Sequence, residues 1–240
     1  NIILPICLFL IEFEANAKIV LPNMFANNMV LQQKSEVAIW GKGKPSSMIH
    51  ISCSWFKKFE IKTITDNNGA WKTFIKTPAA GGPFSIIVYD DDTVKIENVL
   101  VGEVWFCSGQ SNMEMPMKGF KNQPVSNSSE MLAEAVNFNL RLFETKRNAN
   151  KSPQTDVVGE WKVSDSSSAS GFSAVAFLYG LMLQKKLKVP VGIIVSSVGG
   201  TRIQSWMDYQ TLMMLPDSAK FLKDYNKMKF KLHSFTIYIN

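Results

Sequence analysis

GEVWFCSGQSNMEMPM, Gly102 to Met117, holds the decisive junction of this 240-residue chain. A short apolar run, Val104-Trp105-Phe106-Cys107, stops abruptly at the small polar residues Ser108-Gly109-Gln110-Ser111-Asn112. The pattern predicts a buried strand that delivers a hydroxyl to the end of a sheet, with a helix or loop to follow. A serine held at a tight strand-to-helix turn is a common way for a hydrolase to present its nucleophile. Such a serine needs a base. The chain has two histidines, His50 and His233, and neither stands in a context that suggests one.

Downstream of this junction, strand-like and helix-like runs alternate. Ser129 to Val136 is helix-like and Leu140 to Thr145 strand-like. Ser173 to Leu187 carries Val175, Leu178, Leu181, Met182 and Leu187 at helical spacing. Val189 to Val195 is a near-continuous apolar run, as expected of a strand buried on both faces. This alternation predicts an α/β domain with a parallel sheet, whose loops at the carboxyl ends of the strands form any site. Two such ends are rich in small polar residues: Ser108–Asn112, and Ser196-Ser197-Val198-Gly199-Gly200-Thr201.

Upstream, strands of about ten-residue spacing are punctuated by Gly41 and Gly43, Asp66-Asn67-Asn68-Gly69, Gly81-Gly82-Pro83 and Asp90-Asp91-Asp92. This texture predicts an antiparallel β-sandwich. Gly81-Gly82-Pro83 is expected to break the chain before a strand at Phe84, and the texture changes after Leu100.

Composition is that of an ordinary soluble domain, 46% hydrophobic and 19% charged. The net charge of +6 is scattered rather than clustered, which favours a solvated surface over a nucleic-acid site. Ile2 to Ile11 is apolar but too short to span a bilayer, and Ala15-Asn16-Ala17 follows it as a small-x-small pattern. Residues 1–17 therefore read as a secretory signal peptide clipped at its start, the alternative being a buried apolar strand. Export is expected: periplasmic or extracellular, or secretory and lysosomal in a eukaryote. No stable membrane insertion is expected. Cys53 and Cys107 make no disulfide framework, and no Cys/His spacing suggests zinc.

Within the two polar loops, Gly109 relieves crowding before Ser111, and a backbone N–H at the start of the next helix can stabilise an oxyanion. Gly199 and Gly200 can bring further N–H groups close to a substrate. Taken alone, a Ser-Gly-Gln-Ser loop is more often just a turn. Gln110 and Glu114 read equally as capping groups. Arg202 is open between a salt bridge and a substrate contact.

Several ordered blocks resemble the sialate O-acetylesterases, carbohydrate esterases with an SGNH-hydrolase-like fold. GEVWFCSGQSNMEMP resembles their signature block. Leu21-Pro22 with Phe25 and Asn28 to Gln33, Val37 to Gly41, Thr65 to Trp71 and Gly81-Gly82-Pro83 resemble their N-terminal β region. Phe172 to Ala176 and VPVGIIVSSVGGTRIQSWM, Val189 to Met207, resemble later blocks. The resemblance spans about residues 20–210.

What it implies is a β-sandwich over 18–98 and the N-terminal part of an SGNH/flavodoxin-like α/β/α esterase domain over 99–240. It implies a hydrolase that removes O-acetyl groups from sialic acid or a related acetylated carbohydrate, without metal or cofactor; an acetylxylan-type esterase is the alternative. Ser111 matches the nucleophile, and its amide is implied to belong to the oxyanion hole. Gln110, Asn112, Gly199, Gly200, Thr201 and Arg202 are implied oxyanion or substrate contacts. The family's base lies in an Asp-x-x-His block that this sequence lacks, since Lys231-Leu232-His233-Ser234 has no Asp three residues before the histidine. The chain on its own is therefore expected to be catalytically incomplete. A carbohydrate-binding role is the non-enzymatic alternative.

Overall fold

In the computed structural model, residues 18–148, 154–220 and 223 are described. The expected signal peptide and His233 lie outside them. The strands are β1 (Val30–Gln32), β2 (Glu36–Lys42), β3 (Met48–Cys53), β4 (Glu60–Ile64), β5 (Ala70–Lys76), β6 (Gly81–Tyr89), β7 (Thr93–Gly109), β8 (Asn137–Glu144), β9 (Trp161–Ser164) and β10 (Val191–Ser197). The helices are α1 (Ser111–Glu114), α2 (Ser128–Ala133), α3 (Ser166–Ser170), α4 (Ala174–Leu187) and α5 (Tyr209–Met213).

In the first half, alternating residues build a sandwich. On β3, Ile49, Ile51 and Cys53 point inward between exposed or half-buried neighbours, the period of two that a one-sided sheet demands. The antiparallel run β4-β3-β6-β7 faces the β2-β5 pair. Ile39, Trp71 and Ile75 of that pair share one core with Ile49, Ile51, Ile86, Val88 and Ile96. The expected turn at Asp66 forms: its Oδ1 accepts the amides of Asn68 (2.8 Å) and Ala70 (2.9 Å). Gly81-Gly82-Pro83 does not break the chain as expected. It lies inside β6, and its irregularity is absorbed as shifts in the pairing with β7.

Two strands expected on either side of residue 100 are one strand of 17 residues, β7. Its first part pairs antiparallel with β6 and parallel with β1, and its second part, Glu103–Gly109, pairs parallel with β10. The 98/99 position therefore falls within a strand shared by both halves of the molecule. Beyond it, β10 pairs parallel with β8, and β9 closes that side antiparallel. The result is a mixed α/β fold with an antiparallel region and a parallel one in a single sheet.

β10 is buried on both faces, as its apolar run predicts. Val191, Ile193 and Val195 pack with Phe177, Ala174 and Ala176 of α4. Ile194 turns the other way, into the core it shares with Val30, Phe143 and Trp161. Among the described residues, α4 thus covers one face of the parallel strands and the N-terminal β layer contributes to the cover of the other. Trp105 and Phe106 depart from expectation: each is 41% exposed. Adjacent strand residues point to opposite faces, so exposure of both marks an open edge. Among the described residues, Glu103–Gly109 pairs with β10 alone.

Candidate active site

Parallel pairing brings the carboxyl ends of β7, β8 and β10 to one side of the sheet. Ser197 is in register with Gly109, and Val195 with Glu144. Ligands of open α/β sheets bind at this end. The chain leaves β7 through Gly109, at φ +149°, a left-handed conformation that glycine adopts without strain. The Gly109 carbonyl accepts the Val198 amide at 3.0 Å, joining the first polar loop to the second.

Ser111 opens α1, a single turn in which the amides of Glu114 and Met115 bond back to Gln110 and Ser111. Its side chain is exposed, and Oγ donates to Gln110 Oε1 at 2.8 Å. Glu114 sits one turn on, with its carboxylate turned toward the β10 loop. Oε2 accepts the Gly199 amide at 2.7 Å, and Oε1 forms a close ion pair with Arg147, which follows β8. A Cβ on Gly199 would collide with Glu114 Oε2 and would lie 3.8 Å from Ser111 Cα. A side chain there would displace the Glu114 carboxylate from this contact.

The residues singled out in the sequence fall into two groups. Gln110, Ser111, Asn112 and Gly199 meet where β7 and β10 end, with Gly200 exposed beside them at φ +76°. Thr201 and Arg202 continue the second loop outward. The Thr201 hydroxyl donates to Val198 O (2.7 Å) and accepts Trp206 Nε1–H (3.0 Å), so it braces the loop. Arg202 is exposed and, with Gln204 and Lys220, lines a surface cavity of about 170 Å³ whose lining does not include Ser111. The Gly199 amide already has a partner in Glu114, which bears on any oxyanion role for it.

Among the described residues His50 is the one histidine, and strand register removes it from the site. It pairs with Tyr89 across β3–β6, and Tyr89 pairs with Thr93 at the start of β7, whereas Ser111 lies just past the end of that strand. At ~3.3 Å per residue, the length of β7 amounts to about 50 Å. His50 instead stacks on Tyr89 and pairs with Glu60. Among the described residues, no three His, Cys, Asp or Glu side chains are grouped to hold a metal ion.

Sequence reasoning missed the roles of Glu114 and Arg147. Glu114 was visible as a carboxylate one helical turn after the serine, but nothing in a linear reading joins it to Gly199, 85 residues away.

Residues 101–228 match the family model for carbohydrate esterases of the sialic acid-specific acetylesterase type. The chain belongs to this family. The mouse and human sialate O-acetylesterases are each 29% identical to it, over 199 and 203 residues. Each alignment takes in 78% of this chain but only 37% and 38% of those proteins. A carbohydrate acetylesterase from Xanthomonas citri has the same fold, with a TM-score of 0.75 and 32% identity, over 82% of this chain and 44% of that one. This member of the sialic acid-specific acetylesterase family thus spans well under half the length of these relatives. Its mixed α/β architecture is shared with a carbohydrate esterase, and the matched region contains the second part of β7, α1 and β10.

Proposed function

We propose that this chain is the nucleophile-bearing part of a serine carbohydrate O-acetylesterase acting on O-acetylated sialic acids or related acetylated sugars. The observation that carries the reading is Ser111, exposed on a one-turn helix directly past β7, beside the Gly199 loop from β10. In the reaction, Ser111 Oγ attacks the acetyl carbonyl carbon. An imidazole takes the hydroxyl proton, the ester C–O bond breaks, and the sugar alcohol leaves with that proton. Water then attacks acetyl-Ser111 and releases acetate. The Ser111 amide is the first oxyanion donor in this reading, and Gln110 holds the nucleophilic hydroxyl until substrate arrives. In this reading Asn112, Gly200, Thr201 and Arg202 are the sugar contacts, with Asn112 and Gly200 nearest Ser111. No step requires a metal or cofactor.

The imidazole belongs to an Asp-x-x-His block absent from these 240 residues, and His50 is at the far end of β7. The 240-residue chain alone is therefore expected to be nearly inert. Residues 18–98 act in this reading as a β-sandwich domain and 99–240 as the first part of the esterase domain, with residues 1–17 directing export. No helix among the described residues is long and apolar enough to cross a membrane.

Acetate release tests the proposal. The full-length gene product should deacetylate O-acetylated sialic acid faster than acetylated xylan, and the 240-residue chain should do neither. Preference for xylan would redirect the substrate assignment. Robust turnover by the 240-residue chain would contradict the missing-base reading.

A further inference from the structure

We propose that Glu114 is a positioning residue that latches the nucleophile turn to the β10 loop, and that Gly199 serves this latch rather than donating to the oxyanion. The inference rests on the serine-esterase reading of Ser111. Three segments converge on one carboxylate. α1 supplies Glu114 itself, the loop after β10 supplies the Gly199 N–H at 2.7 Å, and the segment after β8 supplies Arg147. A carboxylate accepting a backbone N–H makes a charge-assisted bond, stronger than a neutral one. It is also well sheltered: the Glu114 side chain keeps 24% of its exposure.

The contact fixes distance as well as energy. α1 is a single turn with no buried residue and no side-chain cap. Met113 packs against the α4 core and the Met115 carbonyl accepts the Ala174 amide at 2.8 Å, which tie the turn to α4 but not to the β10 loop. One turn along from Ser111, Glu114 anchors the far end of that helix to the neighbouring strand end, while the Val198–Gly109 bond anchors the near end. A Cβ at Gly199 would meet Glu114 Oε2 and push the carboxylate off the Gly199 N–H. With its N–H committed, Gly199 has no second donor for a developing oxyanion. The Ser111 amide and the remaining loop carry that task. The Arg147 side chain is 59% exposed, so its pairing adds little energy; it balances the carboxylate charge and holds its second oxygen.

Misplacement of a nucleophile by about 1 Å costs on the order of 100-fold in rate. In the full-length protein, Glu114→Ala should lower kcat by about 10- to 100-fold with KM changed less than about threefold, by that principle. Glu114→Gln keeps an acceptor for the Gly199 N–H and should stay within about fivefold of wild type, as expected for loss of an exposed ion pair. Gly199→Ala should resemble Glu114→Ala, and the double variant should be no worse than either, because both remove one contact.

A second readout is independent of catalysis. In the 240-residue chain, the Gly199 amide should exchange slowly with solvent in wild type and Glu114→Gln, and fast in Glu114→Ala. A rapidly exchanging wild-type Gly199, full activity in Glu114→Ala, or additive losses in the double variant would overturn the latch. A protected Gly199 in a full-length protein that cleaves no acetyl ester would instead overturn the esterase reading and leave the contact standing.

Discussion

Glu60 shows how far one carboxylate can be drawn from its usual behaviour by its neighbours. On β4 it accepts a close bond from the Tyr89 hydroxyl, with His50 Nδ1 at 3.1 Å and Lys62 Nζ at 3.3 Å. The Tyr89 bond first, then the His50 bond, and more weakly Lys62, hold its pKa at about 2. A carboxyl depressed in the folded state contributes stability that is complete above its unfolded value of ~4.3 and is lost as pH falls through the folded one. Wild type should therefore melt higher than Glu60→Gln at pH 6, and the gap should close as pH falls from about 4.5 to 2. A gap independent of pH would show that the charge is not what matters. Arg141 is a different case, a cation buried on β8 at 3% exposure, and burial lowers its pKa. It donates to Phe138 O, Asn28 Oδ1 and Asn98 Oδ1, each at 3.2 Å. Because Asn28 and Asn98 come from the β layer, it pins the two halves together. Arg141→Ala removes three hydrogen bonds, leaving Asn28 Oδ1 its bond from Asn98 Nδ2 (2.8 Å), and should cost about 3 kcal/mol in urea unfolding, with loss of less than about 1 kcal/mol contradicting the pin.

At the scale of elements, α4 offers a substitution where local propensity and packing disagree. Replacing a helical glycine by alanine usually gains ~1 kcal/mol. At Gly180, however, a Cβ would sit 2.6 Å from Ile193 Cγ1 and 3.0 Å from Leu140 Cδ1. Overpacking of this kind costs about 1–3 kcal/mol, so Gly180→Ala should lower the melting temperature despite the better helix former. A rise would mean that α4 can shift away from the sheet. The same reasoning explains what could be read in the sequence. β10 and α4 were legible because a two-faced apolar run and a helical spacing each leave a clear pattern. β9, four residues long, leaves too little periodicity to detect. β7 read as two strands because the sequence texture changes after Leu100, just before Gly102. In the fold Gly102 marks a close approach, since a Cβ there would collide with the Pro190 carbonyl. Ser111 was legible because a polar loop ended an apolar strand. The Glu114–Gly199–Arg147 cluster was not, because it exists only once three strand ends are side by side.

The whole molecule joins two cores through one sheet. Ile193 and Ile194, adjacent on β10, belong to different cores, so the β layer and α4 stabilise the same strand from opposite sides. That arrangement leaves the second part of β7 open, with Trp105 and Phe106 half-exposed and Val175 and Met182 of α4 exposed, at 50% and 70%. An unpaired apolar strand edge is a template for pairing with another chain. The 240-residue chain should accordingly associate with rising concentration in sedimentation velocity, and Phe106→Lys should reduce this. A monomer at every concentration would contradict it. The central claim, that this fold exists to present Ser111 as the nucleophile of an acetyl ester hydrolase, is tested most directly by trapping the acetyl-enzyme. Full-length protein mixed with an aryl acetate and quenched in acid should carry its acetyl group on Ser111 by peptide mass mapping. Ser111→Ala should carry none and lose at least about 1,000-fold in turnover. Acetyl found on another residue, or a Ser111→Ala variant within tenfold of wild type, would contradict the account.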